Sequence, residues 1–161
     1  FSSLFSFLLS LLLFIEYILV STFINFPGIL LSSKNDEKKS FLCNLSVPQA
    51  KALYHSLVIN GYIADKTKEE HFMTMAGLVN MPPQMIKWTS TMYALVYFVA
   101  RVFSDTNSDV WYLTTLWFNM DGRDELNRET LKSKRSYIFR NMDRFDSMRK
   151  ELDKIIDESL K

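Results

Sequence analysis

The stretch IKWTSTMYALVYFVARVF, Ile86–Phe103, constrains the fold of this chain more than any other. Met92, Leu95, Val96, Val99 and Phe103 recur at the spacing of one helical face. Tyr93, Ala94, Tyr97 and Phe98 occupy the rest of the surface, so the helix is apolar nearly all round. Helices of that kind lie in a core or in a membrane, and length separates the two. Thirteen residues lie between Lys87 and Arg101, about 20 Å of helix, whereas a bilayer interior is about 30 Å thick. A buried central helix is expected, opened by Thr89, Ser90 or Thr91 as its cap.

A second apolar run differs in kind. Residues 1–33 carry a single charge, Glu16, and the charges that follow mark a sharp compositional boundary. Residues 4–31 exceed the roughly 20 residues that cross a bilayer. Lys34, Lys38 and Lys39 come next, which would leave the downstream part in the cytoplasm, tethered to the inner membrane. The other reading is an extension not native to the domain, since the chain opens on Phe1 and its first methionine is Met73. The expected organisation is an apolar segment at 1–33, a polar linker at 34–44 and a helical domain at 45–161.

Punctuation residues set out the domain. Ser46 and Pro48 suit a helix start, and Asn60-Gly61 supplies a left-handed exit, with Ala50, Leu53, Tyr54, Leu57 and Val58 on one face. Thr67 and Glu70 have capping-box spacing ahead of a helix that buries Phe72, Met73 and Met75 and stops at Gly77. Pro82-Pro83 then interrupts regular structure. After the central helix, residues 110–118 read as another helix, and Asp121-Gly122 as a turn. Asn127 or Thr130 can start the helix RETLKSKRSYIFR. Phe145, Met148, Leu152, Ile155, Ile156 and Leu160 trace the apolar stripe of a last helix, which packs on its own domain or, over 145–160, meets a partner helix. The fold class is all-α, with five or six helices around Met92–Phe103.

No catalytic signature is present: no Gly-rich phosphate loop, G-x-S-x-G or H-E-x-x-H occurs. Cys43 is the single cysteine, which excludes an internal disulfide and fits a reducing compartment. His55 and His71 stand apart without a second ligand at metal spacing. The expectation is a non-enzymatic protein with no metal, cofactor or small-molecule substrate. Charge is balanced overall, 19 Lys and Arg against 18 Asp and Glu, so nothing draws the whole chain to an anionic partner. Between Arg123 and Lys150, however, nine basic residues face five acidic ones. Arg128, Lys132 and Arg135 share a helical face there, which suits phosphates, and Asn127 and Thr130 could reach base edges. A solvated face of mixed sign is the alternative.

Two passages resemble a known family. IKWTSTMYALVYF resembles the W-T-x-S/T…L-V segment of RteC-type proteins, and YLTTLWFNMDGRDELNRETLKSKRS resembles the later part of the same domain. Leu53-Tyr54 with Gly61-Tyr62-Ile63 is similar to the first helix of small RteC-related proteins of bacterial conjugative elements. The likeness spans roughly residues 45–140. Here the family's N-R-T-like step is lengthened by one residue, to Asn127–Thr130, and Met92-Tyr93 is less charged than the family's segment. The family's members also lack an apolar leader. The resemblance implies a compact multi-helix domain with a helix-turn-helix-like C-terminal part, regulating transfer genes by binding DNA. It implies that the basic helix bearing Arg128, Lys132, Lys134 and Arg135 faces DNA, with Trp88 as a buried anchor; together with the charge cluster, the expected DNA contacts are Arg123, Asn127, Arg128, Thr130, Lys132, Lys134, Arg135 and Arg140. The alternative function is a membrane-anchored protein-interaction module.

Overall fold

The structure is a computed structural model that describes residues 40–41, 43–103, 109–120 and 126–161, all within one unit, Lys38–Lys161. The apolar segment 1–33, with its transmembrane reading, lies outside the described residues, as do residues 34–39, the Asp121-Gly122 turn and Arg123.

The first helices are bounded by short-range chemistry. In α1, Val47–Ile59, the Ser46 hydroxyl accepts the Gln49 N–H at 3.4 Å, and the Gln49 side-chain oxygen accepts the Ser46 N–H at 3.0 Å. This reciprocal cap satisfies two donors that the first turn would otherwise leave orphaned. At the other end Gly61 takes a φ of 72°, and the N–H groups of Gly61 and Tyr62 donate to the carbonyls of Val58 and Leu57 at 3.0 and 2.8 Å. Helix α2, Glu69–Met75, stops the same way through Gly77, with Leu78 N–H donating to the Met73 carbonyl at 2.9 Å. Its start differs from the expectation. Lys68 is the N-cap, so Glu70 sits at the second helical position and no capping box forms. Thr67 is instead buried, and its carbonyl accepts the Tyr54 hydroxyl, which ties the approach to α2 down onto α1. Glu69 adds a surface clasp between the two helices, 3.1 Å from Lys51 and 2.9 Å from His55.

Helix α3, Met92–Val102, is the buried centre. Every residue from Ala94 to Val99 is buried, as the all-round apolar surface requires. Thr91 proves to be the cap: its hydroxyl accepts the Ala94 N–H at 3.2 Å, while its carbonyl takes the Trp88 indole N–H at 3.1 Å. Strand β1, Ile86–Trp88, ends three residues before this cap. It pairs in parallel with β2, Phe118–Met120, which follows α4, Val110–Trp117, and Ile86 stands opposite Phe118. Two three-residue strands are too short to show alternation in sequence, and a parallel pair needs a crossover, which α3 and α4 provide. The described chain is therefore mostly helical with one minimal sheet.

Helix α5, Arg128–Arg140, leads through a 3-10 turn, Met142–Phe145, to α6, Asp146–Ser159. Helix α3 packs against α5 and α6, α1 against α2 and α6, and α4 against α5. Leu152, Ile155 and Ile156 are buried in that packing, while Phe145, Met148 and Leu160 are partly buried against the same core. Trp88, fully buried, sits among Tyr62, Phe98 and Phe118 at ring-centroid distances of 5.5, 5.5 and 6.0 Å. Phe41, near the end of the segment read as linker, is also fully buried and stacks on Phe103 at 4.5 Å. Among the described residues, no helix is long and apolar enough to cross a membrane.

Candidate nucleic-acid interface

Only Leu131 and Ile138 are buried on α5, two turns apart, and they fix which side of the helix meets the core. The basic residues take what remains. Arg128, Arg135 and Arg140 are exposed and Lys132 partly so. Asn127 is the N-cap: its side-chain oxygen accepts the N–H groups of Glu129 and Thr130 at 2.8 and 3.3 Å. That oxygen is committed to the helix, which leaves the amide nitrogen for any outward contact. Thr130 is exposed on the first turn.

The cations are not equivalent. Arg128 lies 3.0 Å from Asp109, and Lys132 lies 3.2 Å from Glu129. Surface pairs of this kind contribute about 0–1 kcal/mol, so they dilute the field without fixing the side chains. Lys134 turns toward the domain, where it donates to the Tyr93 hydroxyl at 3.1 Å and lies 4.7 Å from that ring's centre. Arg135 lies 5.0 Å from the ring centre of exposed Phe139. Arg140 donates to the Ser136 carbonyl at 3.2 Å, and Arg144, past the helix end, donates to the Tyr137 hydroxyl at 2.8 Å. Among the described residues, Arg135, Arg140 and Arg144 have no carboxylate within ion-pair distance.

The net effect moves the unscreened charge to the C-terminal half of α5 and the turn after it. Of the expected contact residues, Arg135 and Arg140 sit there, Arg128 and Lys132 carry acidic neighbours, and Lys134 supports the packing of α5 on α3. Sequence reasoning missed Arg144. It belongs to the charge cluster but follows Asn141, where the helix ends, and its link to Tyr137 seven residues earlier needs the turn to be in place. Tyr93, Tyr137 and Phe145 form an aromatic cluster beside it, with centroids 4.9 to 6.0 Å apart. Among the described residues no group of three or more His, Cys, Asp or Glu could hold a metal ion.

Compared with protein-family models, curated proteins and solved structures, the chain matches none.

Proposed function

We propose that this chain is a non-enzymatic DNA-binding protein, acting in the cytoplasm as a regulator or accessory factor of a bacterial mobile element. The observation that carries the reading is the group of Arg135, Arg140 and Arg144, exposed and without carboxylate partners among the described residues. Guanidinium groups match phosphate geometry, and exposed Phe139 beside Arg135 offers an apolar contact within the same surface. The mobile-element role rests on the likeness of residues 45–140 to RteC-type proteins.

In this reading α4 is the supporting helix and α5 the DNA-facing one. Residues 118–127 separate them, which is longer than the three- or four-residue turn of a compact helix-turn-helix. The connection, which contains β2, departs from that compact motif. Phosphate neutralisation dominates, and base reading falls to Thr130 and the Asn127 amide nitrogen. The membrane-anchored alternative depends on residues 4–31, outside the described residues, and on a 145–160 stripe of which Leu152, Ile155 and Ile156 are buried within the domain.

Fluorescence anisotropy with a labelled mixed-sequence duplex tests the proposal. Binding at low salt that weakens steeply with added salt, and at least about tenfold in an Arg135→Ala/Arg140→Ala variant, is the expected result. A wild-type chain that fails to bind at low salt, or a variant that binds equally well, overturns it.

A further inference from the structure

Among the described residues of α5, Phe139 is the one large apolar side chain left in the open. It follows Arg128, Lys132 and Arg135 by eleven, seven and four residues, so it closes the same helical stripe. Arg140 is the next residue along and is also exposed. The Arg135 guanidinium lies 5.0 Å from the centre of the Phe139 ring, yet Phe139 remains 45 % exposed. An aromatic surface thus stays open to solvent at the end of α5 where, among the described residues, Arg135 and Arg140 have no carboxylate within ion-pair distance.

An uninterrupted duplex makes poor use of that surface. Its bases are stacked on one another, so the faces that suit an aromatic ring are closed, and its outside offers phosphates, sugars and groove edges. A phenyl ring laid on the phosphates would displace their water and return no hydrogen bond. Groups that read base edges are also scarce here. Helix α5 contains no Asn or Gln, the Asn127 oxygen caps the helix, and the Ser136 hydroxyl donates to the Lys132 carbonyl at 3.1 Å.

An unpaired base removes the difficulty. Its open face stacks on aromatic rings and on guanidinium planes, and the phosphates on either side of it meet the arginines. Arg135 suits both tasks, because a guanidinium stacks through its face and donates through its edge.

We infer that α5 holds DNA at an unpaired base, which stacks on Phe139 and Arg135 while Arg135 and Arg140 take the adjoining phosphates. The inference rests on the DNA-binding reading of α5 and names the form of DNA that this surface prefers. That form is a single strand, or a duplex with an extrahelical nucleotide, over an uninterrupted duplex. Recognition tolerates any sequence, since every base has a face to stack.

Fluorescence anisotropy of the full chain tests this with a labelled single strand, the matching duplex, and the same duplex carrying a one-nucleotide bulge. The single strand is expected to bind at least about fivefold more tightly than the uninterrupted duplex at equal salt. Phe139→Ala and Phe139→Leu should both bring single-strand affinity down to the duplex level while leaving duplex affinity nearly unchanged. Phe139→Trp should keep the preference, and thermal melts check that each variant is folded. A bulged duplex bound as tightly as the single strand assigns the site to one extrahelical base; one bound like the plain duplex assigns it to a strand whose neighbouring bases are open as well. A duplex bound as tightly as the single strand, or a preference that survives Phe139→Ala or Phe139→Leu, overturns the inference. Duplex binding that still depends on Arg135 and Arg140 would then leave the DNA-binding reading in place, whereas no binding to any of the three forms would remove both.

Discussion

Gly61 and Gly77 make the same backbone turn in different surroundings. Both hold a φ near 70°, at 72° and 75°, where an L side chain is strained. A methyl group at Gly61 would meet nothing within 4 Å, whereas at Gly77 it would come within 2.9 Å of the Ser40 hydroxyl oxygen. Alanine at either position should cost about 1–2 kcal/mol for the left-handed conformation, with Gly77→Ala the more damaging. Urea midpoints of the two variants check that order. Tyr62 offers a second reading at this scale. Burial first, then the adjacent Glu151 carboxylate, push its phenol up to about 12 from an ordinary 10.0. A group whose folded value is raised stabilises fully below the unfolded value and loses that contribution as pH climbs through the folded one. The stability gap between wild type and Tyr62→Phe should therefore shrink between about pH 10 and pH 12. Paired urea titrations across that window measure it, and a gap that widens would contradict the assignment. Tyr54 and Tyr97 shift in the same direction, again chiefly through burial, so the wild-type loss is collective.

Among the elements, α5 shows what a sequence reveals and what it withholds. Its limits were legible because Asn127 is a strong cap and because Leu131 and Ile138 are its only buried positions. The central helix was legible for the opposite reason, an apolar surface too short for a membrane. The two strands were not legible: pairing Ile86 with Phe118 depends on contacts made across 32 positions, and no local pattern encodes it. Thr67 misled because a capping motif is local while the Tyr54 hydroxyl that claims its carbonyl comes from α1. The expected contact set had the same blind spot. Residue type marked Arg128 and Lys132, but Asp109 and Glu129 are neighbours only in the fold or across one helical turn. Asn127→Ala should therefore cost about 1 kcal/mol of stability by removing the cap. Arg135→Ala should stay within about 0.5 kcal/mol while weakening DNA binding. Thermal melts beside anisotropy separate the two effects, and equal losses of stability would count against a surface role for Arg135.

At the scale of the whole molecule, the closing helix decides how much of the chain acts as one body. The Gln49 side chain in α1 donates to the Leu160 carbonyl at 2.7 Å, and the Tyr97 hydroxyl of α3 donates to Asp153 of α6 at 2.8 Å. Arg101 adds ion pairs to Asp153 and Asp157 at 3.4 and 3.3 Å. With α6 locked to α1 and α3, the turn bearing Arg144 is held against the end of α5. Each phosphate neutralised on duplex DNA contributes about −0.9 to the slope of log affinity against log salt. Three contacts give about −2.7, and recruiting Arg128 and Lys132 as well would give about −4.5. The acidic neighbours of those two residues argue for the smaller figure. Glu129→Gln frees Lys132 from its 3.2 Å partner and should steepen the slope by up to about 0.9 while raising affinity. A wild-type slope near −4.5 with no change in Glu129→Gln would mean that the whole length of α5 meets the backbone and that its carboxylates do not restrain its cations.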